Sequence, residues 1–231
     1  AASDRVRDTT YDEKTWQKNV QAGKTLRTEG SSWVQKFTYG FDTTHTDVET
    51  LQTGLTPAAG ETFPLKRFPD TKESSTAFYI QDEIANDHWI ITPGVRYDRY
   101  KLDADAKGYA SSIPPASLND AAVSPKLGVL LRATPEWSLF GNYASGFKAP
   151  NASQVNAYRE SGSFPFYKTI PNPDLRPEKS RNFEVGVRGR TGGLSLDAAV
   201  FTGRYKDLIE ENVVVVNGNM TSPANALVYQ T

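Results

Sequence analysis

The sequence holds no cysteine and only two histidines, His45 and His88. The first absence excludes a disulfide scaffold and any thiolate chemistry. The scarcity of imidazole leaves little for a histidine-based catalytic or metal centre. No run of apolar residues approaches the roughly 20 needed for a transmembrane helix, and the first residues, Ala1-Ala2-Ser3-Asp4-Arg5, do not form a signal peptide. Surplus charge is missing too. Over 231 residues the net value is −1, without the basic excess of a nucleic-acid footprint. There is no glycine-rich phosphate loop, His-Glu-x-x-His pair or nucleophile elbow. Glu210-Glu211 reads as a solvated carboxylate pair at a loop edge, so no enzymatic chemistry is expected. The chain does not open on Met, and its last strand-like stretch, Ala226–Gln230, runs to the end; both point to a piece of a longer polypeptide.

Helical periodicity is almost absent as well, and alternation with a period of two takes its place. Trp33, Phe37, Tyr39 and Phe41 oppose Lys36, Thr38, Gly40 and Asp42. Phe78, Ile80 and Ile84 oppose Tyr79, Gln81 and Glu83, with Asp82 an intruder on the apolar side. Ile91, Val95 and Tyr97 oppose Thr92, Arg96 and Asp98; Leu127, Val129 and Leu131 oppose Ser124, Lys126 and Arg132. Trp137, Leu139, Tyr143 and Phe147 oppose Ser138, Asn142 and Lys148, with Phe140 out of place. Phe183, Val185 and Val187 oppose Glu184, Arg188 and Arg190, and Leu194, Leu196, Ala198 and Val200 oppose Ser195 and Asp197.

Connections alternate in the same way. Short turns fall at Glu29–Ser32, Asn86–His88, Thr134–Glu136 and Thr191–Gly193, and long ones at about Val48–Lys72, Ala104–Asp120, Lys148–Glu178 and Asp207–Ala224. Strands of about ten or more residues, short turns at one end and long loops at the other describe an outer-membrane meander. The mean hydropathy of −0.54 is no objection, because only alternate residues of such strands meet lipid. The opposite face carries too many charges for a dry core, whereas a watery or plugged lumen accommodates them. Trp33, Trp89 and Trp137 each follow a short turn, at the level of an interfacial aromatic girdle. The expected fold is therefore an all-β transmembrane antiparallel up-and-down barrel, with 1–231 forming part of it. A soluble β-sandwich or propeller with one wet face is the alternative.

One connection stands apart. Between Lys148 and Glu178 the chain places Tyr158, Phe164, Phe166 and Tyr167, and closes with Pro171, Pro173 and Pro177. Unstructured connections beyond about 12–15 residues are uncommon unless functional or disordered. Aromatic content and proline stiffening argue against disorder, so this loop is read as a binding element.

At this point four stretches carry a resemblance. "AFYIQDEI" (Ala77–Ile84), "ITPGVRYD" (Ile91–Asp98), "SPKLGVLLRATPEWSLFGNYASGFKAP" (Ser124–Pro150) and "NPDLRPEKSRNFEVGVR" (Asn172–Arg188) resemble the barrel of TonB-dependent outer-membrane receptors, from roughly Trp33 onward. The pairing of GFKAP with NPDLRPE is most similar to the haem and haemoprotein branch. The resemblance implies a 22-stranded barrel in the bacterial outer membrane, long loops outside and short turns in the periplasm. It also implies an N-terminal plug, absent here, through which the TonB complex supplies energy, and haem as a transported ligand taken free or from a haemoprotein. Lys148 stands where that branch has arginine, and no histidine lies between Phe147 and Asn172, where the branch commonly places one. Ferric haem also accepts tyrosinate, so Tyr167 and Tyr158 are the candidate iron ligands. Arg159 and Lys168 beside them would hold a phenolate or the propionates, and Phe164 and Phe166 would stack on the porphyrin. His88 belongs to a periplasmic turn and His45 to the lipid-facing set. A ferric-siderophore receptor would use the same loops without an axial ligand; an outer-membrane barrel enzyme is the remaining alternative.

Overall fold

The computed structural model describes residues 6–57, 61–161 and 164–231. Eight long strands form one antiparallel wall: β1 (Arg7–Arg27), β2 (Val34–Gly54), β3 (Asp70–Ala85), β4 (Trp89–Asp105), β5 (Leu118–Arg132), β6 (Trp137–Lys148), β9 (Glu178–Thr191) and β10 (Leu194–Lys206). Each neighbour in the wall follows its predecessor in the chain, except that β9 pairs with β6 across the long loop. That loop is not structureless. It contains a short helix, α1 (Ala152–Asn156), and two short strands, β7 (Arg159–Glu160) and β8 (Tyr167–Ile170). These strands join β11 (Val213–Val216) and β12 (Leu227–Gln230) in a second sheet ordered β11-β12-β8-β7, with β12 and β8 parallel. The terminal stretch expected as a wall strand therefore belongs to this loop sheet instead.

Alternation holds along the wall. Asn142 donates to Glu184 at 3.0 Å and Arg188 to Asp197 at 2.7 Å. Arg96 bridges Asp42 at 2.5 Å and the buried Asp98 at 2.9 Å. These groups share the inner face, where Arg96 and Arg188 each meet a carboxylate on their own or a nearby strand. The outer face exposes Phe78, Ile80, Val95, Leu127, Leu139, Phe183, Val185 and Val200, a continuous apolar surface. A β-strand crosses a bilayer in about 9–11 tilted residues. The 21 residues of β2 are twice that number, so its upper half stands clear of the membrane.

One of the two intruders, Phe140, has a physical explanation. Phe140 faces inward because its rung partner is Gly186, whose missing Cβ leaves room for the ring, and Arg188 lies 5.7 Å from the ring centroid. Tyr79 does the same over Gly40, with Arg96 at 5.7 Å. In both cases an aromatic fills the gap left by a strand glycine. Asp82 lies opposite Phe37 near the turn end of β3, where one carboxylate oxygen is buried without a partner among the described residues.

β1 was not anticipated. Its outward positions include Lys14, Lys18 and Lys24, which interrupt the apolar alternation, yet it pairs with β2 without a break from Arg7↔Gly54 to Arg27↔Val34. His45 lies on the outer face against Trp16, with ring centroids 5.5 Å apart, and is not among the residues lining the tyrosine cleft.

Candidate functional site

The two boxes that bracket the long loop meet at its base. Lys148, from GFKAP, is the rung partner of Glu178, from NPDLRPE, and their charges lie 3.6 Å apart. Glu178 also accepts the N–H of Ile209 at 2.9 Å, tying in the segment after β10. The lysine that departs from the haem-branch pattern is thus an element of loop closure.

The sequence "PNASQVNAY" then folds back into the mouth. Asn151 caps α1 by accepting from the Gln154 N–H, and Gln154 returns the bond to the Asn151 N–H, a reciprocal capping box. This orientation buries Ala152 and Val155 against Leu102, with Ala104, Ala116, Leu118 and Leu175 around them. Asn156 is fully buried and makes two bonds to one residue, accepting from the Ala116 N–H at 2.7 Å and donating to its carbonyl at 2.8 Å. The Asn156 carbonyl accepts the Tyr109 hydroxyl at 2.8 Å. α1 therefore joins the 106–117 connection to the long loop.

Beyond α1 the chain delivers Tyr158, Arg159 and, through β8, Tyr167 to one cleft of about 540 Å³. Its opposite wall comes from Glu61, Arg67 and Phe68, with Arg7 and Gln52 from the tops of β1 and β2. Both candidate tyrosines and Arg159 thus line one site. The other three candidates are placed differently. Phe166 lines an adjoining cleft of about 660 Å³ that shares Arg67 and Tyr158. Phe164 is 73% exposed, and Lys168, by the alternation of β8, lies on the strand face opposite Tyr167. Sequence reasoning missed Arg67 and Glu61. They come from a connection about ninety residues earlier, in "ETFPLKRFPD", which has no motif to single it out.

The polar groups of the cleft are largely committed to each other. Arg67 pairs with Glu61 at 2.5 Å and donates to Gln52 at 3.1 Å. The Tyr158 hydroxyl donates to the Glu160 carboxylate, and its ring meets Tyr109 edge-on at 6.3 Å. Burial, followed by the bond and charge of Glu160, raises the Tyr158 pKa well above the ordinary phenol value. Burial likewise pushes Tyr109 up to about 12. Arg159 stacks over Tyr167 at 5.9 Å from its centroid. Arg7 and Arg159 have no ion-pair partner among the described residues, so two guanidinium groups remain for an anionic ligand. Among the described residues no cluster of histidine and carboxylate ligands could hold a bare metal ion.

A wall of long antiparallel strands, apolar outside and charged inside, with a structured loop cluster over one end, defines an outer-membrane receptor barrel. The match to a family model supplies the identification. Residues 1–230 match the TonB dependent receptor-like β-barrel, and the chain belongs to this family of bacterial outer-membrane receptors, not enzymes. The chain is 31% identical over 165 residues to the hemin receptor of Yersinia pestis, covering 63% of this chain and 23% of that protein. It is 30% identical over 139 residues to the metal-pseudopaline receptor CntO of Pseudomonas aeruginosa, covering 58% of this chain and 18% of that one. Among solved structures, the hemophore receptor HasR of Serratia marcescens, in complex with HasA and heme, superposes with a TM-score of 0.66 at 16% identity, over 89% of this chain and 34% of that one. The ferric enterobactin receptor PfeA of Pseudomonas aeruginosa, in complex with enterobactin, gives 0.64 at 22% identity, over 96% and 31%. The chain thus spans about a fifth of those curated relatives, and the structural likeness concerns the fold.

Proposed function

We propose that the protein is a haem receptor of the outer membrane, which takes haem or a haemoprotein at its extracellular mouth and imports haem iron with energy from the TonB complex. The observation that carries this reading is the convergence of Tyr158, Tyr167 and two guanidinium groups without an ion pair among the described residues, Arg7 and Arg159, on one cleft of about 540 Å³. Its size lies in the range of small-molecule and cofactor sites. Tyrosinate is an established axial ligand of ferric haem, and guanidinium suits the propionates. Tyr167 is the better ligand of the two. The Tyr158 hydroxyl is already bonded to a carboxylate that opposes loss of its proton. The hemin receptor among the relatives supports the same reading.

A ferric-siderophore receptor is the second reading. Receptors for pyoverdine, yersiniabactin and enterobactin stand beside HasR among the similar structures and outnumber it, and a cleft mixing acids, bases and aromatics suits such ligands without an axial bond. The test is the absorption spectrum and affinity of ferric haem on the full-length protein, wild type against Tyr167→Phe and Tyr158→Phe. Loss of the tyrosinate charge-transfer bands in Tyr167→Phe, with Tyr158→Phe close to wild type, is the expected result. Unchanged spectra and affinity in both variants would remove the tyrosines from the iron and favour the siderophore reading.

A further inference from the structure

The wall is dislocated locally at the loop-side end of β5 and β6. β5 and β6 pair only from Arg132↔Ser138 up to Lys126↔Ala144. The next residue of β5 is Pro125, which brings no N–H to a ladder, and the strands separate above it. β6 remains paired to β9 throughout, up to Lys148↔Glu178. Phe147 belongs by alternation to the outer-facing set and Tyr100 to the inner, yet their rings stack with centroids 6.0 Å apart. The top of β6 has therefore stepped inward behind β5. A recess of about 390 Å³ results, lined by the freed edge of β5 at 121–124 and by Phe147, Lys179, Arg181, Arg204 and Lys206.

The four cations occupy adjacent rungs on the outward parity, Arg204 directly opposite Arg181 and Lys206 opposite Lys179. Like charges facing each other across a ladder are destabilising. The same two strands pair opposite charges lower down, at Arg188–Asp197. All four cations are exposed, and none has an ion pair among the described residues. Their height is informative. Arg181 lies ten residues before Thr191, where β9 ends at its short turn. At about 3.3 Å per residue and a tilt near 40–45°, that is roughly 25 Å, the height of the apolar band. Directly below, on the same parity, are Phe183, Val185, Thr202 and Val200. The cluster thus stands where lipid headgroups begin, over the loop-side leaflet.

We propose that this recess binds the phosphate-bearing headgroup of an outer-leaflet glycolipid, with the four cations on its phosphates and its acyl chains lying along the apolar face below. The anion removes the repulsion between the paired cations, and the dislocation of β6 gives the headgroup a seat in the wall.

The test uses the full-length protein in phosphatidylcholine nanodiscs with and without diphosphorylated lipid A, measuring retained lipid by native mass spectrometry and thermal stability in parallel. The wild type is expected to retain lipid A and to gain stability from it. Near a membrane surface each cation contributes about a fivefold effect on binding, so K179Q/R181Q/R204Q/K206Q is expected to bind several hundredfold more weakly. In phosphatidylcholine alone the variant should equal or exceed the wild type in stability, because repulsion has been removed. If the quadruple variant does not fold, R181Q/R204Q carries the same comparison, with roughly a thirtyfold loss expected. Equal lipid A binding by wild type and variant overturns the proposal. So does a variant destabilised in phosphatidylcholine alone, which would mean the cations are paired within the protein. Inorganic phosphate matching lipid A in its effect would show an anion site that is not a lipid site, and would also overturn it.

Discussion

A charge placed on the outer face offers the most direct test of the wall, because its cost should depend on depth. Val185 is outward-facing and 58% exposed, six residues before the end of β9 at Thr191. With a rise of about 3.3 Å per residue and a tilt near 40–45°, it sits roughly 15 Å above the turn-side edge of a band about 25 Å tall. That is close to the midplane, where arginine on the lipid face costs about 2–4 kcal/mol. Val187→Arg, roughly 10 Å above the same edge and about as close to the midplane, should cost about as much. Asn182→Arg, inward-facing and exposed, should cost under about 1 kcal/mol, since the lumen face hydrates a charge. Urea unfolding of the full-length barrel refolded into vesicles, followed by tryptophan fluorescence, would measure all three. A flat series, or a larger cost at Asn182 than at Val185, would refute the assignment of faces.

Other consequences are equally specific. Gly186→Val should destabilise the wall by about 1–3 kcal/mol, because its side chain would meet the Phe140 ring and the Ala198 carbonyl; adding Phe140→Ala should recover part of the loss in the same unfolding assay. Asn156→Ala leaves the Ala116 N–H and carbonyl unpaired in a buried setting, at about 1–3 kcal/mol each. Its readout is faster protease cleavage within 106–117 on intact cells, and unchanged cleavage there would deny α1 its anchoring role. Protease added outside should cut the wild type within 207–212 or 219–222 and spare the short turns at 86–88 and 133–136. Cleavage at those turns without membrane disruption would reverse the orientation.

The membrane-spanning parts of the wall were legible because lipid imposes a strict rule on alternate residues. Leu127, Val129 and Leu131 could not face anything else while Lys126 and Arg132 took the other side. Where that rule lapses, legibility lapses too. β1 carries lysines at outward positions and escaped notice, although an unbroken ladder holds it to β2. The strand tops above the bilayer are wet on both faces, so the end of β2 at Gly54 left no mark in the pattern. The loop sheet was also invisible. β8 and β12 are parallel partners about sixty residues apart, and nothing in a four-residue strand encodes so distant a neighbour.

The same reasoning explains which half of the candidate site could be found. Tyr158, Arg159 and Tyr167 lie close together in sequence and stand out as aromatics and cations in a proline-closed loop. Arg67 and Glu61 became part of the site only through folding, and what brings the two halves together is α1. Its first N–H donates to Glu73 of β3 at 2.9 Å, Gln154 to Glu211 at 3.2 Å and Asn156 to Ala116 at 2.8 Å. Five helical residues thus bond to one strand and to two other extracellular connections. Tyr158 follows the helix by two residues, and its N–H donates to the Arg67 carbonyl at 3.3 Å. The distance between the tyrosines and Arg67 is therefore set by a helix whose own position is fixed by the barrel mouth. Under the proposed function, a ligand attracted by Arg7 and Arg159 would meet a cleft whose walls are already held in place. That preorganisation lowers the ordering cost of capture, and it makes Asn156, which touches no ligand position, as important to the shape of the cleft as either tyrosine.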